Sequence, residues 1–150
     1  MPTTNISEAL DAWREAERRW ELTDPDEKAY RSAAIEVIAA WLHYQELAGS
    51  EQDSFVLVAD EAHAFVAVGG GVRAALDYEP ADLLGRQIED IAAPDLAPGT
   101  ASTFERFLAD GRQDGEYRLL ARDGREVTLR YQARAHYPIP GFHTSRLRPT

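Results

Sequence analysis

The sequence predicts an α+β fold, in which a five-stranded antiparallel sheet carries short helices on one face and follows an N-terminal helical hairpin. Apolar residues recur at helical spacing through residues 5–49, whereas apolar and polar residues alternate through residues 126–137. The dipeptide Asp123-Gly124, which is typical of a tight hairpin turn, precedes the alternating segment. We therefore divide the chain into a helical extension, residues 1–52, and a sheet domain, residues 53–150.

Composition narrows the class of protein before any motif is considered. The 150 residues suit one domain with an appendage, and 44% hydrophobic with 28% charged residues is typical of a globular protein. No apolar run reaches the roughly 18 residues of a membrane span, and the N-terminus lacks the regions of a signal peptide. The absence of cysteine excludes disulfides and thiolate sites. We expect a cytoplasmic protein that does not contact a membrane.

The charge is negative and unevenly distributed. A formal net charge of -10 argues against direct binding of nucleic acid. Residues 111–150 nevertheless carry eight arginines against four acidic residues. Arg118, Arg130, Arg134 and His136 share the polar face of the predicted strands. That face is either solvated, covered by the acidic N-terminal helices, or a site for an anionic partner.

Residues 5–49 predict two helices. Asn5 suits an N-cap, with Glu8 three residues later as in a capping box. Asp24 and Pro25 suit the cap and first position of a second helix, which we expect to end near Gly49.

The aromatic residues of these helices lie on apolar stripes, and all three tryptophans of the chain are among them. One interpretation is a hairpin that only covers the domain. The other is that it also forms the seam of a homodimer, because large aromatic residues dominate interface energetics. The candidate dimer residues are Leu10, Trp13, Trp20, Tyr30, Val37, Trp41 and Tyr44.

The sheet domain is predicted element by element from periodicity and turn residues. Two short strands come first, then several short helices and one longer helix, then three strands. The predicted strands are 55–59, 64–68, 116–121, 126–137 and 142–148, and the predicted helices are 72–76, 81–84, 88–91 and 100–109.

One ordered set of motifs resembles the PAS family. Leu76-Asp77-Tyr78-Glu79-Pro80-Ala81-Asp82-Leu83-Leu84-Gly85-Arg86 is similar to the family's Leu-Gly-Tyr-Ser-Pro-Glu-Glu-Leu-Leu-Gly-Arg segment. Gly115-Glu116-Tyr117-Arg118 and Asp123-Gly124 occupy the places of its strand and turn. The resemblance covers residues 53–148 and implies a PAS-like sheet. It departs at Gly69-Gly70-Gly71, where the family has Asn-Pro-Ala, and it lacks the closing Asp-Ile-Thr motif.

The resemblance implies a signal-sensing or protein-interaction module rather than an enzyme. Such a module would bind a small ligand or a partner between the sheet and the short helices and relay this through the N-terminal helices. The candidate pocket residues are Val58, Phe65, Val72, Leu76, Ile88, Phe104, Leu108, Tyr117, Leu119, Leu129, Tyr131, Phe142 and Thr144. The alternatives are a filled core in a dimerisation adaptor and, with less support, a small enzyme. Besides itself, the expected partner is an unidentified signalling protein.

The sequence favours no particular cofactor. Haem-binding relatives often place a histidine on the helix equivalent to residues 100–109, and this helix has none. Cysteine-adduct flavin is excluded, which leaves non-covalent flavin. Gly69-x-Gly71-x-x-Ala74 matches a dinucleotide fingerprint, but Pro80 and Gly85 prevent the long helix that this fold needs. No catalytic set or metal-ligand cluster has meaningful spacing.

Overall fold

The computed structural model describes residues 5–48 and 54–150. The chain divides into two compact units, Met1–Ser50 and Glu51–Thr150. The predicted boundary at residues 52 and 53 and the predicted helix end at Gly49 lie outside the described residues. None of the helices described combines the length and the apolar character that a membrane crossing requires.

The first unit is a helical hairpin of α1 (Ile6–Glu21) and α2 (Ala29–Ala48). The side chain of Asn5 caps α1 by accepting a hydrogen bond of 2.8 Å from the backbone N–H of Glu8. The predicted start of α2 at Pro25 is wrong. The carboxylate of Asp24 instead accepts from the backbone N–H of Asp26 within a turn, and the helix begins only at Ala29.

The aromatic stripes pack within this hairpin. The ring centroids of Trp13 and Tyr44 lie 5.5 Å apart, and those of Trp20 and Tyr30 lie 5.7 Å apart. These pairs show that the two helices are antiparallel. The paired side chains are ones that the sequence placed among the dimer candidates.

The remaining dimer candidates are buried or half-buried within the chain. Val37 and Trp41 are buried, with 0% and 2% of their surface exposed, and Leu10 is half-buried. The homodimer seam stays a prediction, and the candidates that keep part of their surface exposed are Leu10, Trp13, Trp20, Tyr30 and Tyr44.

The second unit is built on five antiparallel strands in the order β2-β1-β5-β4-β3. Their bounds are β1 Phe55–Asp60, β2 Phe65–Val68, β3 Arg112–Leu120, β4 Glu126–Arg134 and β5 Phe142–Pro149. The predicted α+β class, with its five-stranded antiparallel sheet after a helical hairpin, is confirmed.

Two strand ends differ from prediction. β3 begins at Arg112 rather than Glu116, because it pairs with β4 as far as Arg134. Alternation predicted that β4 continues to Tyr137, but it ends at Arg134. His136 has a φ of 53°, which a strand residue does not adopt.

The helices of this unit are α3 (Val72–Leu76), α4 (Pro80–Leu83) and α5 (Thr100–Asp110). Two short 3-10 turns, Ile88–Asp90 and Ala97–Gly99, separate α4 from α5. Gly71 stands at the N-cap of α3, where an added Cβ would lie 2.2 Å from the carbonyl oxygen of Ser54. The strand entering β1 therefore approaches the corner too closely for any larger residue.

The sheet has two faces of different character. The inner face carries Leu57, Leu119, Leu129 and Leu147, which pack with residues of α3 and α4 in one apolar core. The opposite face carries Val58, which is fully buried, and its cross-strand neighbour Thr144. Arginines occupy this opposite face farther along β4 and β5.

Candidate functional site

A cavity of about 120 Å³ lies on the inner face of the sheet, against α5. Apolar and aromatic groups dominate its wall, and several hydroxyl, amide and imidazole groups interrupt it. The lining residues are Leu57, Ala59, His63, Phe65, Ile88, Thr100, Thr103, Phe104, Phe107, Gln113, Tyr117, Tyr131, Ala133, His143, Ser145 and Leu147.

Five of the residues proposed from the sequence line this cavity: Phe65, Ile88, Phe104, Tyr117 and Tyr131. They come from β2, the first 3-10 turn, α5, β3 and β4. The structure therefore brings together aromatic groups that are 66 residues apart in the sequence at their extremes.

Five other proposed residues do not line the cavity although they lie on the same side of the sheet. Val72, Leu76, Leu119 and Leu129 are fully buried in the apolar core. Leu108 is half-buried on α5, where Phe104 and Phe107 take the positions facing the cavity.

The last three proposed residues, Val58, Phe142 and Thr144, face the opposite side of the sheet. Thr144 is paired with Val58, and its hydroxyl donates to the carbonyl oxygen of Tyr137. Phe142 is paired with Asp60 on the same face. Their neighbours Leu57, Ala59, His143 and Ser145 line the cavity instead. The reason is the two-residue period of a strand, since a one-residue error moves a side chain to the other face.

Two hydrogen-bonded pairs supply most of the polarity of the wall. The hydroxyl groups of Thr100 and Tyr117 lie 3.0 Å apart, joining α5 to β3. The hydroxyl of Tyr131 donates to Oε1 of Gln113 over 2.9 Å, joining β4 to β3. Burial raises the pKa of the Tyr131 phenol, and Tyr117 and Asp114 act in the same direction. Tyr131 is therefore a neutral phenol at physiological pH.

His143 is the most enclosed polar group of the cavity, with 3% of its surface exposed. Its ring contacts Phe104 and Phe107 edge-on, at centroid distances of 5.5 and 6.1 Å. Burial lowers the pKa of this imidazole, although the carboxylate of Glu61 opposes the shift. The ring is therefore neutral at pH 7.

Glu61, His136 and His143 each present one atom that could bind a metal, all within 4.8 Å of one another. Nδ1 of His143 accepts from the backbone N–H of His136, and Nδ1 of His136 accepts from that of Gly141. Each neutral ring consequently carries its proton on Nε2. A metal at Nε2 would move that proton to Nδ1, against a backbone N–H. The hydrogen bonds indicate a structural cluster.

The proposed basic face is largely engaged within the chain. Arg118 contacts Asp95 and lies 3.3 Å from Glu126, and this arginine lowers the pKa of the Asp95 carboxyl. The guanidinium of Arg134 lies 4.4 Å from the ring centroid of Tyr137. His136 belongs to the turn after β4. Arg130 lines a separate polar groove of about 320 Å³, together with Asp114, Tyr131, Gln132, Arg146 and Arg148.

The family model described as the PAS fold matches residues 65–139. The chain belongs to the PAS family. The match spans β2 to the turn after β4, which includes most of the cavity wall. The resemblance stated from the sequence is confirmed, and the chain is a sensory or signalling module of the PAS type.

Solved PAS structures share the fold at low sequence identity. A PAS domain of a Colwellia psychrerythraea protein superimposes with a TM-score of 0.58 and 15% identity, covering 65% of this chain and 86% of its own. The PAS domain of the Cronobacter turicensis quorum-sensing receptor RpfR, in complex with BDSF, superimposes with a TM-score of 0.56 and 14% identity, and the match covers 67% of this chain and 96% of that domain. The N-terminal domain of a Marinobacter aquaeolei diguanylate cyclase with a PAS/PAC sensor superimposes with a TM-score of 0.52 and 16% identity, and the match covers 64% of this chain and 94% of that domain. No curated protein sequence matches the chain.

Sequence reasoning about this PAS domain missed several cavity residues. His63 was assigned to a turn, which is correct, but its ring also contacts that of Phe104, with 3.8 Å between the two ring centroids. His143 was assigned only to the last strand. Gln113 and Thr100 were not considered, because Gln113 lay outside the predicted β3 and Thr100 looked like a helix end. The full length of β3 would have indicated Gln113, which shares a face with Tyr117.

Proposed function

We propose that this PAS domain is a sensor whose cavity takes a small, neutral, mostly apolar molecule. The observation that carries the proposal is the cavity itself, an aromatic-walled space with a few converging polar groups. A filled core, which was the alternative from the sequence, would leave no such space between α5 and the sheet.

The size of the cavity limits the ligand. An apolar cavity of about 150 Å³ holds benzene, so about 120 Å³ suits a molecule of similar size, roughly five to seven heavy atoms. Drug-sized ligands occupy about 300–1,000 Å³. Haem and non-covalent flavin exceed the cavity, and we propose that neither is the ligand.

The wall also limits the charge of the ligand. Within residues 5–48 and 54–150, no carboxylate, ammonium or guanidinium group lines the cavity. His143 is neutral at pH 7 because burial lowers its pKa. An ion would lose its hydration without gaining a partner, at a cost of several kcal/mol. We therefore propose a neutral ligand and, since the polar groups of His143 are engaged structurally, no catalysis.

The output of the sensor would be a protein contact. We propose that ligand occupancy shifts a two-state equilibrium that the helical hairpin passes to a second copy or to a signalling protein. Exposed apolar residues on the hairpin support this role: Ile6, Leu22 and Leu47 are 47%, 81% and 38% exposed. The proposed setting is cytoplasmic.

Toluene is a suitable probe because it fits the proposed size. Toluene should raise the melting temperature of the wild-type protein in a saturable manner, since a ligand that binds only the folded state stabilises it. Ala133→Leu fills the cavity and should abolish the shift. Ala101→Leu places the same side chain on the exposed face of α5 and should retain it.

Two outcomes would contradict the proposal. If toluene gives no saturable shift in the wild type, the domain is better described as an adaptor with a filled core. If toluene binds but hydrogen exchange in the helical hairpin does not change, the relay to the hairpin is wrong while the ligand site stands.

A further inference from the structure

We propose that the cavity selects molecules carrying a hydroxyl group, because its two phenols present acceptor oxygens beside an amide donor. This inference rests on the proposed function, since it specifies the ligand of the same cavity.

The proton of Thr100 fixes the polarity of Tyr117. The Thr100 hydroxyl donates to the carbonyl oxygen of Leu96 over 3.2 Å, as expected for a threonine at a helix start. Either oxygen of the 3.0 Å contact with Tyr117 could donate, but a hydroxyl has one proton, so both contacts of Thr100 are hydrogen bonds only when the phenol is the donor. The phenol oxygen of Tyr117 is left with lone pairs and no proton to offer to a ligand.

Tyr131 also uses its hydroxyl proton within the protein. Its hydroxyl donates to Oε1 of Gln113 over 2.9 Å, so its oxygen can also only accept from a ligand. The two phenol rings meet edge-to-face with centroids 6.3 Å apart. Two acceptor oxygens thus belong to adjoining parts of one wall.

The other polar groups determine what a ligand can accept. The Thr103 hydroxyl donates to the carbonyl oxygen of Gly99, and both nitrogens of His143 are engaged by His136 and Glu61. The Gln113 amide nitrogen remains a donor, and the Ser145 hydroxyl can rotate to either role. The His63 imidazole also lines the cavity, and its Nδ1 lies 3.8 Å from Oε1 of Glu89.

A ligand hydroxyl both donates and accepts, and so it matches a wall that offers phenol oxygens and an amide N–H. An ether or a carbonyl group only accepts and would leave the phenol oxygens without a donor. A protonated amine would donate, but it carries a charge that the wall does not balance. The class that fits is a small alcohol or phenol.

Phenol and toluene test this selection because they have the same shape and differ by hydroxyl against methyl. Dissociation constants for both probes are measured on the wild type, Tyr117→Phe, Tyr131→Phe and Tyr78→Phe. Tyr78 packs against the core outside the cavity and serves as the matched control. Comparing variants cancels the different hydration of the two probes.

The expected result is a loss of phenol affinity of about 3- to 10-fold in Tyr117→Phe or Tyr131→Phe, which is typical of one buried hydrogen bond. Toluene affinity should change less than twofold in the same variants, and Tyr78→Phe should change neither. Equal losses for both probes, or no loss for phenol, would overturn the inference while leaving the cavity proposal intact. If neither probe binds the wild type, both proposals fail.

Discussion

The Nδ1 atom of His143 accepts a 3.0 Å hydrogen bond from the backbone N–H of His136, and its Nε2 atom lies 3.2 Å from Oε1 of Glu61. These contacts fix the neutral tautomer, with its proton on Nε2. Protonation of Nδ1 would direct a second proton at the His136 N–H and break that bond. The buried imidazole, at the start of β5, therefore connects this strand to two turns only while it is neutral.

Stability should consequently fall at mildly acidic pH. The pKa of His143 is lowered by burial, with His136 and His63 adding to the shift and Glu61 opposing it. Between the folded and the unfolded pKa, His143 is therefore protonated in the unfolded state and neutral in the folded state. The stabilisation is present above the unfolded value of about 6.5 and is lost as pH falls from there towards the lowered folded pKa. Thermal denaturation from pH 8 to pH 5 measures it.

The comparison uses two substitutions of the same kind. His143→Asn retains an acceptor near the Nδ1 position but does not titrate, so the loss of stability below pH 6.5 should become shallower. His43→Asn, at an exposed position of α2, should leave the pH dependence as in the wild type. An unchanged slope in His143→Asn would show that other groups cause the acid sensitivity.

Gly71 should be intolerant of any side chain. A Cβ there would lie 2.2 Å from the Ser54 carbonyl oxygen and 3.0 Å from Cβ of Phe55, so Gly71→Ala must displace backbone. We expect a loss of about 1–3 kcal/mol in the free energy of unfolding, typical of overpacking. Gly99→Ala is the control, because no atom lies within 4 Å of its added Cβ, and it should change stability by less than about 0.5 kcal/mol. Urea denaturation measures both losses, and equal losses in Gly71→Ala and Gly99→Ala would contradict the prediction.

Leu119 should contribute far more stability than an exposed leucine of the same domain. Leu119 is 0% exposed and lies in the core between the sheet and the short helices. Leu119→Ala should cost about 2–5 kcal/mol of unfolding free energy, because it removes buried surface and leaves a cavity. Leu84 is 49% exposed, so Leu84→Ala should lower the free energy of unfolding by less than about 1 kcal/mol. Similar losses in the two variants would contradict the assigned core.

The hairpin provides a test of the proposed homodimer. Its antiparallel ring pairs place Ile6 and Leu47 at the same end, where both are exposed. If this end forms the seam, the double variant Ile6→Lys, Leu47→Lys should be monomeric in light scattering while the wild type is dimeric. The double variant Ser7→Lys, Ser32→Lys adds the same charge at exposed polar positions and should remain dimeric. A monomeric wild type would exclude the homodimer.

The sequence predicted the class of fold well, because its signals are local. The Asp123-Gly124 turn appears as expected, with Gly124 at a φ of 88° and Arg125 N–H donating to Asp123. Alternation along β4 likewise placed Leu129 and Tyr131 on the inner face. Such features depend on one segment and its immediate partner.

The site was predicted less completely, because β1 and β5 give weak directional signals. Phe55 to Val58 are all buried, so apolar character cannot distinguish the face of Val58 from that of Leu57. His143 is a polar residue buried by distant partners, and Glu61 is 82 positions away. The close approach of Ser54 to Gly71 is a tertiary contact, which the glycine run by itself does not indicate.

The strand order has a consequence for synthesis of the protein. β5 lies between β1 and β4, so the strand made last is the one that joins the β1–β2 hairpin to the β3–β4 hairpin. The nascent sheet cannot close until Phe142–Pro149 has left the ribosome. A chain terminated before Phe142 would hold two hairpins with unpaired edges, which invite aggregation. The eight residues of β5 are thus required for the two hairpins to form one continuous sheet.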